Sequence, residues 1–314
     1  MRYINSLREG EQLSEIYLVK FKQIAKTKQG KSYYNMILQD KTGTVDTKIW
    51  DIGPGIDNFE QNDYIMVEAQ VTFFQSGIQL NVRRLRQAKE GEYDPKDYIP
   101  TSDKDIEVMY KELLAYISGI TQPHLRKLAE KYFVENANFV KNFKEHSAAK
   151  SVHHSFLGGL LEHTLGILKL CEVYVMQYPI LNKDLLYTAA MFHDVGKLVE
   201  ISNFPENDYT DDGQLLGHII IGVEWLNETM KQIDGFPPKL ASMLKHCILS
   251  HHGELEYGSP KKPAIIEAIA LHMADNTDSK LMTFNEILQS GTEEKGDWLG
   301  YNRLFESNLR KTVF

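Results

Sequence analysis

Residues 189–198 read AAMFHDVGKL, an apolar helical run that ends with His193 and Asp194 side by side. Two polar side chains in such a place cost roughly 1–3 kcal/mol each when left unpaired in a protein interior. Either the two satisfy each other through a buried hydrogen bond, or a metal ion satisfies both. The other histidines of the chain bear on the choice. In order come LLEHT (His163), FHDVGK (His193, Asp194), LGHII (His218), LSHHG (His251, His252) and LHMAD (Asp275). Each sits on, or at an end of, a different predicted helix. A lone histidine on an apolar face is usually a satisfied core residue, but five histidines and two carboxylates over five consecutive helices fit that account badly. A helix bundle points such residues inward into one cavity, which is how bundle metal sites are built.

The helices are predicted by their period. SDKDIEVMYKELLAYI opens with Ser102 as N-cap and places Ile106, Met109, Leu113 and Ile117 on one face. PHLRKLAEKYF starts with Pro123 in a first helical turn. Further helices are expected over about 158–177, 183–194, 215–231, 238–251 and 263–275. The period upstream is different. In SYYNMILQD, Tyr34, Met36 and Leu38 alternate with Asn35, Ile37 and Gln39; a turn at DKTG leads to TVDTKIW, where Val45, Thr47 and Ile49 share a face. DYIMVEAQVTFF, a turn at QSG, and IQLNVRRLR with Ile78, Leu80 and Val82 inward complete about five strands, with one candidate helix near Ile56–Gln61. A small closed barrel is the economical way to hide five strands and their edges. The expected organisation is a barrel over 1–90, a linker and leading helices over 91–150, a metal-binding helical core over 151–280 and a tail over 281–314.

A chain of 314 residues suits about two domains, and 42% hydrophobic with 25% charged residues is ordinary for a globular protein. The opening MRYINSLREGEQ has no apolar segment of the kind a signal peptide carries, and no run reaches the roughly 18 residues of a membrane span. A cytoplasmic protein is expected, with Cys171 and Cys247 as reduced core residues. The net charge of −8 conceals an asymmetry: residues 1–90 carry a net of +2 and the remainder a net of −10. The first part meets phosphates more easily, and the second attracts cations.

The order H…HD…H…HH…D resembles the HD-domain metallohydrolase superfamily, and the full set resembles its two-metal members. That resemblance implies a first metal on His163, His193, Asp194 and Asp275, and a second, bridged by Asp194, on His218, His251 and His252. The chemistry suits the division, because one carboxylate can bridge two cations while neutral imidazoles fill other positions. Nitrogen and oxygen ligands without cysteine suit Mn²⁺, Fe²⁺, Co²⁺ or Zn²⁺, and Mn²⁺ is the expected ion of a pair. Lys197, one turn beyond His193, is a candidate to hold a phosphate oxygen or else a solvated helix end. In HHSFLGG, His153 and His154 line a substrate channel or pack a helix start. His246 and His272 are read as supporting or core residues, and His124 and His146 as surface residues.

The stretch YYNMILQDKTGTVDTKIW is similar to the nucleic-acid-binding OB-fold. Tyr33, Trp50, Phe73 and Phe74 are candidates to stack on bases, and Lys48, Arg83, Arg84 and Arg86 to meet phosphates. An OB barrel followed by an HD domain resembles the YhaM family of bacterial 3′–5′ exoribonucleases. The resemblance implies metal-dependent removal of nucleotides from 3′ ends of single-stranded RNA, with some members acting on single-stranded DNA. Two other readings stand: an HD phosphohydrolase of free or cyclic nucleotides with a regulatory barrel, and a non-catalytic single-strand-binding protein. In the tail, Trp298, Tyr301 and Phe305 pack either on their own domain or on another subunit of a homo-oligomer.

Overall fold

The computed structural model describes residues 1–74, 77–150, 154–290 and 296–313. It divides into two compact units, 1–103 with 203–207, and 104–202 with 208–314. His153 and the QSG turn residues Gln75 and Ser76 lie outside the described residues.

The first unit is a closed five-stranded barrel. Its strands are β1 (Gln12–Lys26), β2 (Ser32–Asp40), β3 (Gly43–Ile49), β4 (Tyr64–Phe74) and β5 (Gly77–Gln87), in the order β1-β2-β3-β5-β4. The fifteen-residue β1 closes the ring because it is long enough to pair twice. Its first half, Gln12–Leu18, runs antiparallel to β4, and its second half, from Leu18 to Lys26, to β2. Closure gives each of the five described barrel strands a partner on both sides. Val45, Thr47 and Ile49 are all buried, as the alternation requires, and Val45 and Ile49 share a core with Met36, Leu38, Val67 and Leu80. Near Ile56–Gln61 there is no helix: Ile56 bridges to Leu85 and Phe59 is buried, so core burial overrides the local pattern. Tyr98 and Ile99 are buried too. Tyr98 packs on Ile16 and Leu18, and Tyr64 stacks on Tyr93 with ring centroids 4.0 Å apart. The stretch after residue 90 therefore belongs to the barrel unit up to Asp103 rather than standing clear of it.

The second unit is helical: α1 (Ile106–Ser118), α2 (Pro123–Phe133), α3 (Ala137–Glu145), α4 (Gly159–Gln177), α5 (Lys183–Phe192), α6 (Lys197–Glu200), α7 (Asp211–Leu215), α8 (Gly217–Lys231), α9 (Pro238–Leu249) and α10 (Ile266–Ser290). A hairpin of β6 (Trp298–Asn302) and β7 (Ser307–Arg310) follows. The cap of α1 is Asp105, not Ser102; its carboxylate accepts from the amides of Glu107 and Val108 and suits the positive end of the helix. Asp184 on α5 accepts from the Thr121 and Gln122 amides at 2.9 and 2.7 Å, which fixes the start of α2 against α5. Phe133, Phe143, Phe192, Leu113 and Leu186 lie at the centre of the core. Cys171 and Cys247 are buried thiols in that core. Of the tail aromatics, Phe305 meets Phe284 edge to face, whereas Trp298 and Tyr301 are exposed. No helix among the described residues is long and apolar enough to cross a membrane.

Candidate metal centre

Five helices deliver the polar cluster. His163 lies on the first turns of α4; His193 and Asp194 sit where α5 ends and turns into α6; His218 opens α8; His251 and His252 follow α9; Asp275 lies on α10. Gly196 lies between Asp194 and Lys197 and faces the backbone of α8. A Cβ there would lie 2.0 Å from the His218 carbonyl oxygen, so only glycine lets α6 approach α8 this closely. His193, Asp194 and His251 are almost fully shielded from solvent, and His163 and His218 nearly so.

The donors form two groups around one carboxylate. The nitrogens of His163 and His193 and an oxygen of Asp275 lie within 4.8 Å of one another, and so do those of His218, His251 and His252. Asp194 faces both. Its Oδ2 is 3.4 Å from His163 Nε2 and 3.2 Å from His193 Nε2, while its Oδ1 is 3.3 Å from His218 Nε2 and 3.7 Å from His251 Nε2. Asp275 Oδ1 is 3.4 Å from His163 Nε2.

Every one of the five imidazoles is anchored through Nδ1. His163 donates to Asp278 Oδ2 at 2.7 Å, His193 to the Ala190 carbonyl at 2.8 Å, and His218 to Glu200 Oε1 at 2.8 Å. His251 donates to the Ile248 carbonyl at 2.7 Å and His252 to the Tyr257 carbonyl at 2.8 Å. Carbonyls and carboxylates only accept, so each Nδ1 carries a hydrogen, and the neutral form of each ring has its lone pair on Nε2. Those Nε2 atoms converge. Among the described residues, buried His218 Nε2, His251 Nε2 and Asp194 Oδ1 find no hydrogen-bond partner, a costly arrangement unless a cation takes the lone pairs. The residues therefore fit divalent metal ions, and a donor set of imidazole and carboxylate without thiolate suits Mn²⁺, Fe²⁺, Co²⁺ and Zn²⁺ alike.

Electrostatics point the same way. Burial pushes the Asp194 carboxyl up, but His193, Lys197 and the bond to His163 outweigh it and hold the group well below the usual carboxylate range. Burial likewise opposes ionisation of Asp275, and His163 beside it brings its pKa down. The His163 imidazole is pushed down by burial, yet Asp194, Asp275 and Asp278 raise it well above its ordinary value. A cluster of carboxylates thus favours positive charge at its centre. Burial and the neighbouring rings keep His251 and His252 neutral, the form that can ligate.

A cavity of about 450 Å³ opens onto the cluster, lined by His163, Asp194, His218, His252 and Asp275 together with Lys197, Tyr209, Tyr257, His272 and Asn276. Lys197 is not a solvated helix end: its Nζ lies 2.7 Å from Asp194 Oδ2 on the cavity wall. His154 does not line the cavity. It is buried, with Nε2 3.0 Å from Asp278 Oδ2. His272 donates from Nδ1 to the His251 carbonyl at 2.9 Å, and His246 Nε2 accepts from the Ala264 amide at 2.8 Å. His124 is half-buried against Phe236. His146 is buried rather than at the surface, with its ring nitrogens 2.8 and 3.1 Å from the Ser147 and Ile201 carbonyls. Two carboxylates escaped the sequence reading, Asp278 and Glu200, because an acidic residue on a helix looks like a solvated face until its partner is known.

On the barrel, Trp50 is 45% exposed and stacks on Tyr33 with centroids 4.6 Å apart and planes at 28°. Its indole N–H donates to Asn81 Oδ1 at 3.0 Å. Phe73 and Phe74 are 55% and 60% exposed at the end of β4. A bulge in the β4–β5 pairing turns two consecutive arginines, Arg83 and Arg84, outward. A groove of about 490 Å³ beside Trp50 is bordered by Gln70, Asn81 and Arg83. Lys48 bonds Asn35, and Arg86 is held by Glu92 through two bonds of 2.7 and 3.0 Å, which ties up its guanidinium.

Comparison with known proteins gives three results. The HD domain family matches residues 160–280. The 3′-5′ exoribonuclease YhaM of Geobacillus sp. (strain WCH70) is 33% identical over 282 residues, which is 89% of this chain and 86% of that protein. Among solved structures, the second OB-fold domain of replication protein A from Methanococcus maripaludis is 18% identical, covering 29% of this chain and 98% of its own, with a TM-score of 0.24. The HD domain of the phosphodiesterase PgpH of L. monocytogenes is also 18% identical, covering 51% of this chain and 77% of its own, with a TM-score of 0.32.

Proposed function

Because the chain belongs to the family of the 3′-5′ exoribonuclease YhaM, we propose that it is a metal-dependent phosphodiesterase that shortens single-stranded RNA from its 3′ end. The observation that carries this reading is the pair of buried donor groups sharing Asp194, with His218 Nε2, His251 Nε2 and Asp194 Oδ1 turned inward and without a hydrogen-bond partner among the described residues. His163, His193 and Asp275 would hold one divalent ion, His218, His251 and His252 the other, and Asp194 would contribute an oxygen to each. The chemistry such a pair supplies is a hydroxide nucleophile near neutral pH and compensation of negative charge on the phosphate. Mn²⁺ is the ion we assign first.

The chain's own residues do the rest. Nδ1 anchoring fixes the direction of all five imidazoles before any substrate arrives, so no reorganisation is needed during the reaction. Lys197, on the cavity wall, presents its ammonium to a non-bridging phosphate oxygen. The cavity accepts the terminal nucleotide, and the barrel grips the strand behind it through Trp50, Tyr33, Phe73 and Phe74 and through Arg83 and Arg84. The barrel unit to Asp103 and the helical unit from Lys104 divide binding from hydrolysis. The acidic charge of the helical part supports that division, because outside its metal site it repels a polyanion.

The test is a 5′-labelled single-stranded RNA incubated with the protein and Mn²⁺ and resolved on a gel. Progressive shortening, obstructed by a 3′-phosphate or a stable 3′ hairpin, is the expected result. Immediate release of a labelled 5′ mononucleotide, or cleavage of a circular RNA, contradicts it. Hydrolysis of mononucleotides with no attack on the oligonucleotide would instead mark a nucleotide phosphohydrolase.

A further inference from the structure

Behind His163 lies a second carboxylate with no place among the seven donors. Asp278 sits on α10, one turn beyond Asp275, and its Oδ2 receives two imidazoles: His163 Nδ1 at 2.7 Å and His154 Nε2 at 3.0 Å. Both rings are almost fully buried. The fold makes room for this carboxylate at some expense. Gly166 stands opposite on α4, in a helix interior where glycine is unfavourable, and a Cβ there would lie 2.4 Å from Asp278 Oδ1. His154 is held in the left-handed region at φ 61°, uncommon for a residue with a side chain, with its carbonyl accepting from the Ala148 amide at 3.0 Å. That backbone aims its ring at Asp278.

We infer that Asp278 is a positioning residue for the metal ligand His163, with His154 holding the carboxylate in place. The inference rests on the metal centre proposed above. A carboxylate accepting from Nδ1 fixes the tautomer, leaves the lone pair on Nε2 and makes that nitrogen a more basic ligand. His193 and His251 meet peptide carbonyls in this role, whereas the His154–Asp278–His163 chain acts on the ion site that His163 would serve. Glu200 stands in the same relation to His218 on the other side of Asp194, at 2.8 Å.

Stepwise titration of the metal-free, full-length protein with Co²⁺, followed by visible absorption of the bound ion, tests the inference. The wild type is expected to bind in two steps. Asp278→Asn keeps the shape but removes the charge, and should weaken one step by about 10- to 100-fold while the other step is retained. Gly166→Ala leaves Asp278 in the chain but displaces its carboxylate, and should weaken the same step with the same change in band shape. Wild-type titration in both variants overturns the inference. So does equal weakening of both steps with a lower melting temperature of the metal-free variants, which marks a role in folding only. Absence of Co²⁺ uptake by the wild type overturns the metal centre itself, and this assignment with it.

Discussion

His146 shows what burial does to an ionisable side chain away from the proposed ligands. Its pKa is held below the ordinary histidine value, chiefly by burial and also by Lys197, although two carbonyl oxygens face its ring. A neutral ring can donate to only one of them, so the site favours the uncharged form at the cost of one bond. The unfolded chain therefore takes up this proton first as the pH falls. Stability from this residue is fully present above the unfolded value of about 6.5 and is lost as the pH falls through it towards the depressed folded value. His146→Gln should flatten the acid limb of stability between pH 7 and 5 by as much as ~1.4 kcal/mol per pH unit. Urea unfolding across that range checks it; an unchanged slope would show that His146 titrates alike in both states.

The approach of α6 to α8 brings Lys197 and His218 to one carboxylate, and Gly196 permits it. Gly196→Ala sets a Cβ against the backbone of α8, which has no flexible end to give way. It should cost about 1–3 kcal/mol of stability and weaken metal binding together, measured by thermal unfolding and metal titration on one preparation. Elements with a steady period were legible in advance: the inward row Val45, Thr47, Ile49, and the buried Met109, Leu113 and Ile117 of α1. The short α6 and α7 were not, since four or five residues carry no period. The helix expected over about 263–275 stops before NTDSK, residues 276–280, yet α10 continues to Ser290. Three of its residues face the site: Asn276 and Ser279 line the cavity, and Asp278 holds His163. The ligands were legible because histidine is rare and its order along the chain is informative. Asp278 and Glu200 become visible only as distances.

Over the whole chain the charge is divided, with +2 on residues 1–90 and −10 on the rest. The barrel unit to Asp103 is close to neutral, so grip on RNA should depend on its exposed Trp50, Phe73, Phe74, Arg83 and Arg84 rather than on its net charge, and should fall with salt. Stacking on one aromatic is worth roughly 1–3 kcal/mol, and each lost phosphate contact on a single strand flattens the salt slope by about 0.7. Trp50→Ala with Arg84→Ala should weaken RNA binding about tenfold or more and flatten that slope, with metal content unchanged. A chain beginning at Lys104 should bind long RNA far more weakly yet still cleave an activated phosphodiester. Equal affinity and slope for all three proteins would remove the barrel from RNA binding. The metal centre is tested most directly by the number of Mn²⁺ ions bound per chain at equilibrium dialysis, wild type beside Asp194→Ala. Two ions in the wild type and clearly fewer in the variant are predicted, because Asp194 faces both donor groups. Equal numbers in the two proteins, or none in the wild type, would contradict it.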